Sequence, residues 1–259
     1  MTALSIKPEE TEVVGLAHEA IHETVQNILQ NESPGKVLDV PAGKGALAQR
    51  LQKLGFEVSC CDLYPQIFKL ADTEIKFGNL DAALPYENEA FDFVVCVEGL
   101  EHIENPANAV REFARLLKPN GTLIVSVPNI MNVEERLKWL YNGYTSHFKP
   151  LSGEALEEVK KEFGGMEEIA LHVNPIGYSE VRYLLEKNNF SLQKVLLDKP
   201  KKNSWTYLPL VALIRLIARF NSEKKRRSRW TNELNADEVL LGGNTLIFQA
   251  KKYEETLAL

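Results

Sequence analysis

The chain has 259 residues, 44% of them hydrophobic, enough to bury a full core in one α/β domain. Its 30 basic and 36 acidic residues leave a formal net charge of -6, which counts against a general nucleic-acid binder, whose footprint is a basic excess. Cys60, Cys61 and Cys96 lie in apolar strand patterns without metal-ligand spacing, and with no signal-peptide pattern this points to reduced thiols in a cytoplasmic protein.

The first periodic stretch holds Val13, Val14, Leu16, Ala17, Ala20, Ile21, Val25 and Ile28-Leu29 at helical spacing, and Ser33-Pro34-Gly35 stops it. It reads as a preceding helix that covers a pocket or the sheet, with His18 and His22, four apart, placed to share a ligand or, as preferred, on a solvated face. The apolar run Val37-Leu38-Asp39-Val40 then breaks into Pro41-Ala42-Gly43-Lys44-Gly45 before the helical pattern Ala46 to Leu51. A strand, a glycine turn and a helix N-terminus in that order make a nucleotide-type pocket, since glycines let backbone approach a ligand closely. Glu57 to Asp62 is a second strand ending in an acid where a ribose-binding carboxylate belongs. A dinucleotide fingerprint would need G-x-G-x-x-G. Only Gly43 and Gly45 are present, and Asp39 beside them repels a pyrophosphate while suiting a cationic or amino-bearing ligand.

Further along come Gly78-Asn79-Leu80 with Leu84-Pro85-Tyr86, the strand Phe91 to Glu98, and Leu116-Leu117-Lys118-Pro119-Asn120-Gly121-Thr122-Leu123. In this order the motifs resemble the class I S-adenosylmethionine-dependent methyltransferases, over about residues 35 to 130. The resemblance implies a doubly wound, mostly parallel seven-stranded sheet with an antiparallel last strand, here Gly243 to Ala250. It implies S-adenosyl-L-methionine (SAM) as cofactor, with Asp62 and the following Leu63 at the ribose and Asn79 and Leu80 at the adenine. Asp39, Pro41, Gly43, Gly45 and Val97 complete that set. Two departures stand out: Pro41 replaces the first loop glycine and removes an N–H donor, and Asn79 replaces an aspartate.

Residues 1–34 are therefore expected to form an N-terminal helical cap and 35–259 a methyltransferase domain. That domain carries a lid insertion at about 130–175, holding Trp139, Tyr141, Tyr144, His147, Phe148 and a Glu/Lys-rich helix. A second insertion, at about 203–235, pairs the apolar helix Trp205 to Phe220 with the basic run Lys224 to Arg229. It is too short and too interrupted by Arg215 and Arg219 to span a bilayer, and suits either a peripheral anionic membrane surface or packing on the chain itself or a homodimer partner.

Glu98, Glu101 and His102 cluster after the fourth strand, where open α/β sheets place ligands, and each can serve as a base. Their E-x-x-E-H spacing resembles ubiquinone-biosynthesis O-methyltransferases and small-RNA 3′-end 2′-O-methyltransferases. In those a further histidine completes a divalent-metal site, which implies Glu98, Glu101, His102 and His172 as ligands if a metal binds. His147 is the second choice for that histidine, and a base or orienting role without metal is preferred. The expected activity is O-methylation of a small or lipid-linked molecule. The alternatives are an RNA 3′-end enzyme, against which the acidic balance speaks, a non-catalytic cofactor-binding protein, and a hydride-transfer enzyme.

Overall fold

A run as apolar as Val37 to Val40 is stable as a strand only where both faces of the sheet are covered. In the computed structural model, which describes residues 12–253, it forms β1 (Lys36–Asp39) in the interior of the sheet. β2 (Glu57–Asp62) and β4 (Phe91–Cys96) flank it in parallel, and β3 (Ile75–Phe77) lies outside β2. β5 (Leu117–Pro128) follows β4, and β7 (Thr245–Lys252) runs antiparallel to both β5 and the edge strand β6 (Phe190–Leu197). The order β3-β2-β1-β4-β5-β7-β6 reverses between β1 and β4. That reversal opens a crevice above the carboxyl ends of the strands, the place where such sheets hold ligands.

Alternate side chains of β1 go to opposite layers. Val37 packs with Ile21, Val25 and Leu29 of α1 (Glu19–Leu29) and Leu47 and Leu51 of α2 (Ala46–Lys53). Leu38 packs on the other face with Phe113 and Leu116 of α3 (Pro106–Leu116). α3 starts where Asn105 accepts from the Asn108 amide and Pro106 pre-sets the first turn.

After β5 come α4 (Val133–Asn142) and α5 (Gly153–Phe163), then α6 (Tyr178–Lys187), which returns to the sheet through Val181 and Leu185. The second insertion holds α7 (Leu208–Arg219) and α8 (Glu223–Ser228). Of the α7 residues only Val211 is fully buried, against Val133 and Leu240. Among the described residues no helix is long and apolar enough to cross a membrane.

Several expectations are corrected. The first helix begins at Glu19 rather than at Val13, and Val14 and Leu16 stay exposed. Gly15 lies so close to α1 that a Cβ there would stand 2.4 Å from the His22 ring, so this segment folds back on the helix instead of extending it. β5 pairing already starts at Leu117 and jumps to Thr122, a bulge with Asn120 at φ 62. The apolar helix is shorter than Trp205 to Phe220. Residues 1–11 of the cap and 254–259 lie outside the described residues.

Candidate active site

A cavity of about 700 Å³ opens at the carboxyl ends of β1, β2 and β4. Pro41, Leu63, Leu80 and Val97 line it together with the acids and glycines of the first two strand ends. Gly43 sits at φ 53 and Gly45 at φ 90, conformations that glycine adopts without a steric penalty. At Gly45 the space is closed as well, since a Cβ would lie 2.8 Å from the Phe68 ring. Asp62 holds the loop: its carboxylate accepts from the amides of Gly43 and Tyr64, each at 2.8 Å. Pro41 fits because its neighbour across the crevice is Gly99, where a Cβ would lie 2.6 Å from the proline ring. Asn79 lines the cavity while its Oδ1 accepts from the Asp81 amide at 2.8 Å.

Asp39 is 1% exposed and its Oδ2 has no partner. Burial first, and then the charge of Asp62, pushes its pKa up from 3.8 to about 8, against the pull of the Ala48 amide. An acid whose pKa rises on folding favours the folded chain below about 4, and that advantage drains away as pH climbs toward about 8. A cation bound beside Asp39 would offset the loss. The three cysteines are buried and free, and burial pushes their thiols up, so they are inert core residues.

Beyond β4 the chain turns at Glu98, which has φ 46 and donates its amide to Ser126 Oγ at 2.8 Å. Its carboxylate is directed to the Thr245 hydroxyl at 3.5 Å. Glu101, His102 and His172 instead come together, with one ligating atom of each within 4.8 Å of the others. The four expected residues thus divide into a cluster of three and Glu98, which lines the same cavity but stays outside the cluster. Glu101 is 0% exposed, and neither of its oxygens has a hydrogen-bond partner. Burial, reinforced by Glu98, raises its pKa well above the usual carboxylate value.

The Glu101 carbonyl accepts from the amides of Val173 (2.9 Å) and Asn174 (3.0 Å), which draws His172 to the cluster across 71 residues of chain. His102 Nδ1 lies 2.9 Å from the Leu171 carbonyl and His172 Nδ1 3.1 Å from that of His147. A carbonyl can only accept, so the His172 Nδ1 carries the proton and its Nε2 keeps the lone pair, while His102 has two backbone carbonyls beside it, those of Leu171 and Glu168. Burial lowers the pKa of both rings, that of His172 to about 4, with His102 and His147 adding to it. An unpartnered buried carboxylate beside two neutral imidazoles fits a divalent cation, and it equally fits a group that receives a proton. His147 supplies its carbonyl and stacks on His172 at 6.2 Å between ring centroids.

Sequence reasoning missed some of the wall. His22, buried with an unpartnered Nδ1, faces the cavity, whereas His18 sits beside Lys199, so the two share no ligand. Leu16 comes within 3.4 Å of where a Gly43 Cβ would be, and the Tyr64 hydroxyl bonds Glu168 across the mouth. Both contacts join the cavity to segments distant in sequence, and no local pattern announces them.

A family model described as a methyltransferase domain matches residues 15–164. A ubiquinone biosynthesis O-methyltransferase from Psychrobacter cryohalolentis is 30% identical over 187 residues, 64% of this chain and 72% of that one. A protein of the same name from Xanthomonas oryzae is 34% identical over 103 residues, so there the chain spans only 43% of the relative's length. Among solved structures, one titled as a putative methyltransferase from Bacillus halodurans is similar with a TM-score of 0.54. It is 18% identical, with 90% of this chain and 99% of that one covered, and this likeness speaks for the fold.

Proposed function

This chain belongs to the methyltransferase-domain family and is a SAM-dependent methyltransferase, and from that premise we propose that it methylates a hydroxyl oxygen of a small or lipid-linked molecule. The observation that carries this reading is the pair of rings His102 and His172 lining the cavity, with the unpartnered Glu101 carboxylate buried beside them. SAM supplies an electrophilic methyl on a sulfonium, so the protein has to align the acceptor oxygen and remove its proton. Asp62 takes the ribose hydroxyls and Asp39 the cationic amino-acid end. Glu101 with the two imidazoles accepts the proton. The names of the relatives favour oxygen as the atom methylated.

The test offers labelled SAM with lipid, small-molecule and RNA extracts. Label should enter the lipid or small-molecule fraction in a form resistant to mild alkali, as an ether is and a methyl ester is not. Label confined to RNA would refute the reading. A second reading, that the same three side chains hold a divalent ion which lowers the acceptor's pKa, is favoured by one ligating atom from each of them lying within 4.8 Å of the others.

The position of Asp39 carries a pH signature. Cation binding favours its ionised form, so SAM binding should release close to one proton at pH 7, and affinity should rise between pH 6 and 8, below the raised pKa of about 8. Calorimetry in two buffers of different ionisation heat measures the proton. Asp39→Asn should abolish both effects, and zero proton release in the native chain would remove Asp39 from the ligand set.

The exposed side chains of the second insertion bring the enzyme to an anionic membrane surface. Leu213, Leu216, Ile217 and Phe220 are half or more exposed on or just after α7, and the basic α8 follows directly. Each Lys or Arg near such a surface adds about 1 kcal/mol, on top of apolar burial at ~25 cal/mol per Å². Co-sedimentation with anionic vesicles should fall with salt, and should fall further in Phe220→Ser and in Lys224→Gln/Arg227→Gln. A chain that ignores every vesicle yet self-associates through this face would make it a homodimer contact instead.

A further inference from the structure

A second cavity of about 700 Å³, sharing no lining residue with the first, lies between α4, the turn after β5 and the segment from α8 to Asn235. Its apolar walls are Ile130, Met131 and Leu234, with the half-exposed Trp139 at the rim. Three cations face it, Arg136, Lys225 and Arg229, and no acid lines it. Arg136 donates from Nε to the Met131 carbonyl at 2.7 Å and from a terminal nitrogen to the Leu234 carbonyl at 3.2 Å. Those bonds join the two walls and neutralise nothing. The nearby Glu233 is engaged by Tyr178 and Arg182. Among the described residues Arg136, Lys225 and Arg229 have no ion-pair partner, and the adjacent Arg226 buries its Nε without an acceptor.

A partly buried guanidinium without a counter-charge is costly unless an anion joins it. Its remaining N–H groups form the planar fork that suits phosphate or carboxylate. Dimensions of this order accommodate a small organic ligand, with apolar walls for its body and a few polar groups fixing its orientation. We propose that this cavity binds an amphiphile with an oxyanion head, the head held by Arg136, Lys225 and Arg229 and the apolar body against Ile130, Met131, Trp139 and Leu234. The site is independent of methyl transfer, so its failure would leave the proposed function untouched.

Isothermal titration of the full chain with monomeric dodecyl phosphate tests it. The expected result is one saturable site, at least tenfold tighter than for dodecyl maltoside or inorganic phosphate and not displaced by S-adenosylhomocysteine. Lys225→Gln/Arg229→Gln, at exposed positions whose replacement leaves the fold intact, should weaken it at least tenfold, and Arg136→Gln should abolish it. Equal affinity for the maltoside, an unaltered affinity in the double variant, displacement by S-adenosylhomocysteine, or binding seen only when the phosphate lipid sits in a vesicle would each overturn the proposal. The last result would mark a surface contact with a membrane rather than a cavity ligand.

Discussion

Replacing Asp62 with alanine should weaken SAM binding about 30-fold or more. A hydrogen bond to a charged group contributes ~1–3 kcal/mol, and the two ribose hydroxyls each lose one, at ~1.4 kcal/mol per tenfold. Asp62 also braces the glycine loop through the Gly43 and Tyr64 amides, so the bare loss of affinity mixes two effects. Asparagine does not separate them, because its amide nitrogen would face the Gly43 N–H donor to donor. A double-mutant cycle does. Deoxyribose analogues of S-adenosylhomocysteine should bind the native chain poorly and should lose little more in Asp62→Ala, since the partner of the missing hydroxyl is already gone. If the analogues lose as much in the variant as in the native chain, Asp62 braces the loop and does not hold the ribose.

That the residues from the first strand to the second acid would line one cavity was legible because they are local. Strand, glycine loop, helix and the acid of the next strand lie within Val37 to Asp62, and parallel pairing puts the ends of β1 and β2 side by side with Asp39 opposite Cys60. The antiparallel β7 was legible only through the resemblance, because an isolated apolar run carries no direction. The acceptor half was read less well. Glu98, Glu101 and His102 lie within five residues of sequence, yet at the left-handed turn of Glu98 its carboxylate meets Thr245 on β7 and stays outside the cluster of the other two. Spacing says nothing about that turn, which is held by Ser126 on a different strand. Helical periodicity over Val13 to Leu29 misled for a related reason: Leu16 and Ala17 border a cavity instead of extending the helix, with Leu16 over Gly43. The second cavity could not be read at all, because its walls come from segments about 90 residues apart whose cations look, in sequence, like a solvated run.

Glu101→Gln should leave folding nearly unchanged and reduce turnover by ~10²–10⁴-fold, the usual contribution of a positioned base. The two halves of this expectation rest on the same observation. Neither oxygen of the buried carboxyl has a hydrogen-bond partner, so glutamine is close to an isostere and removes no hydrogen bond; thermal unfolding should move by no more than ~1 kcal/mol. Glutamine cannot take up a proton, and the loss should therefore fall on kcat, with SAM affinity within a few-fold of native. Glu98→Gln should cost far less, since that carboxylate is turned to Thr245. Divalent ions divide the two readings through unfolding as well as turnover. If Glu101, His102 and His172 hold a cation, its addition should raise the unfolding temperature of the native chain, a chelator should reverse the rise, and neither should act on Glu101→Gln. If ions and chelators leave unfolding and turnover unmoved while Glu101→Gln is inactive, Glu101 acts as a base alone. Native turnover in Glu101→Gln, with no ion response in either chain, would make the buried acid a structural residue and remove the cluster from catalysis.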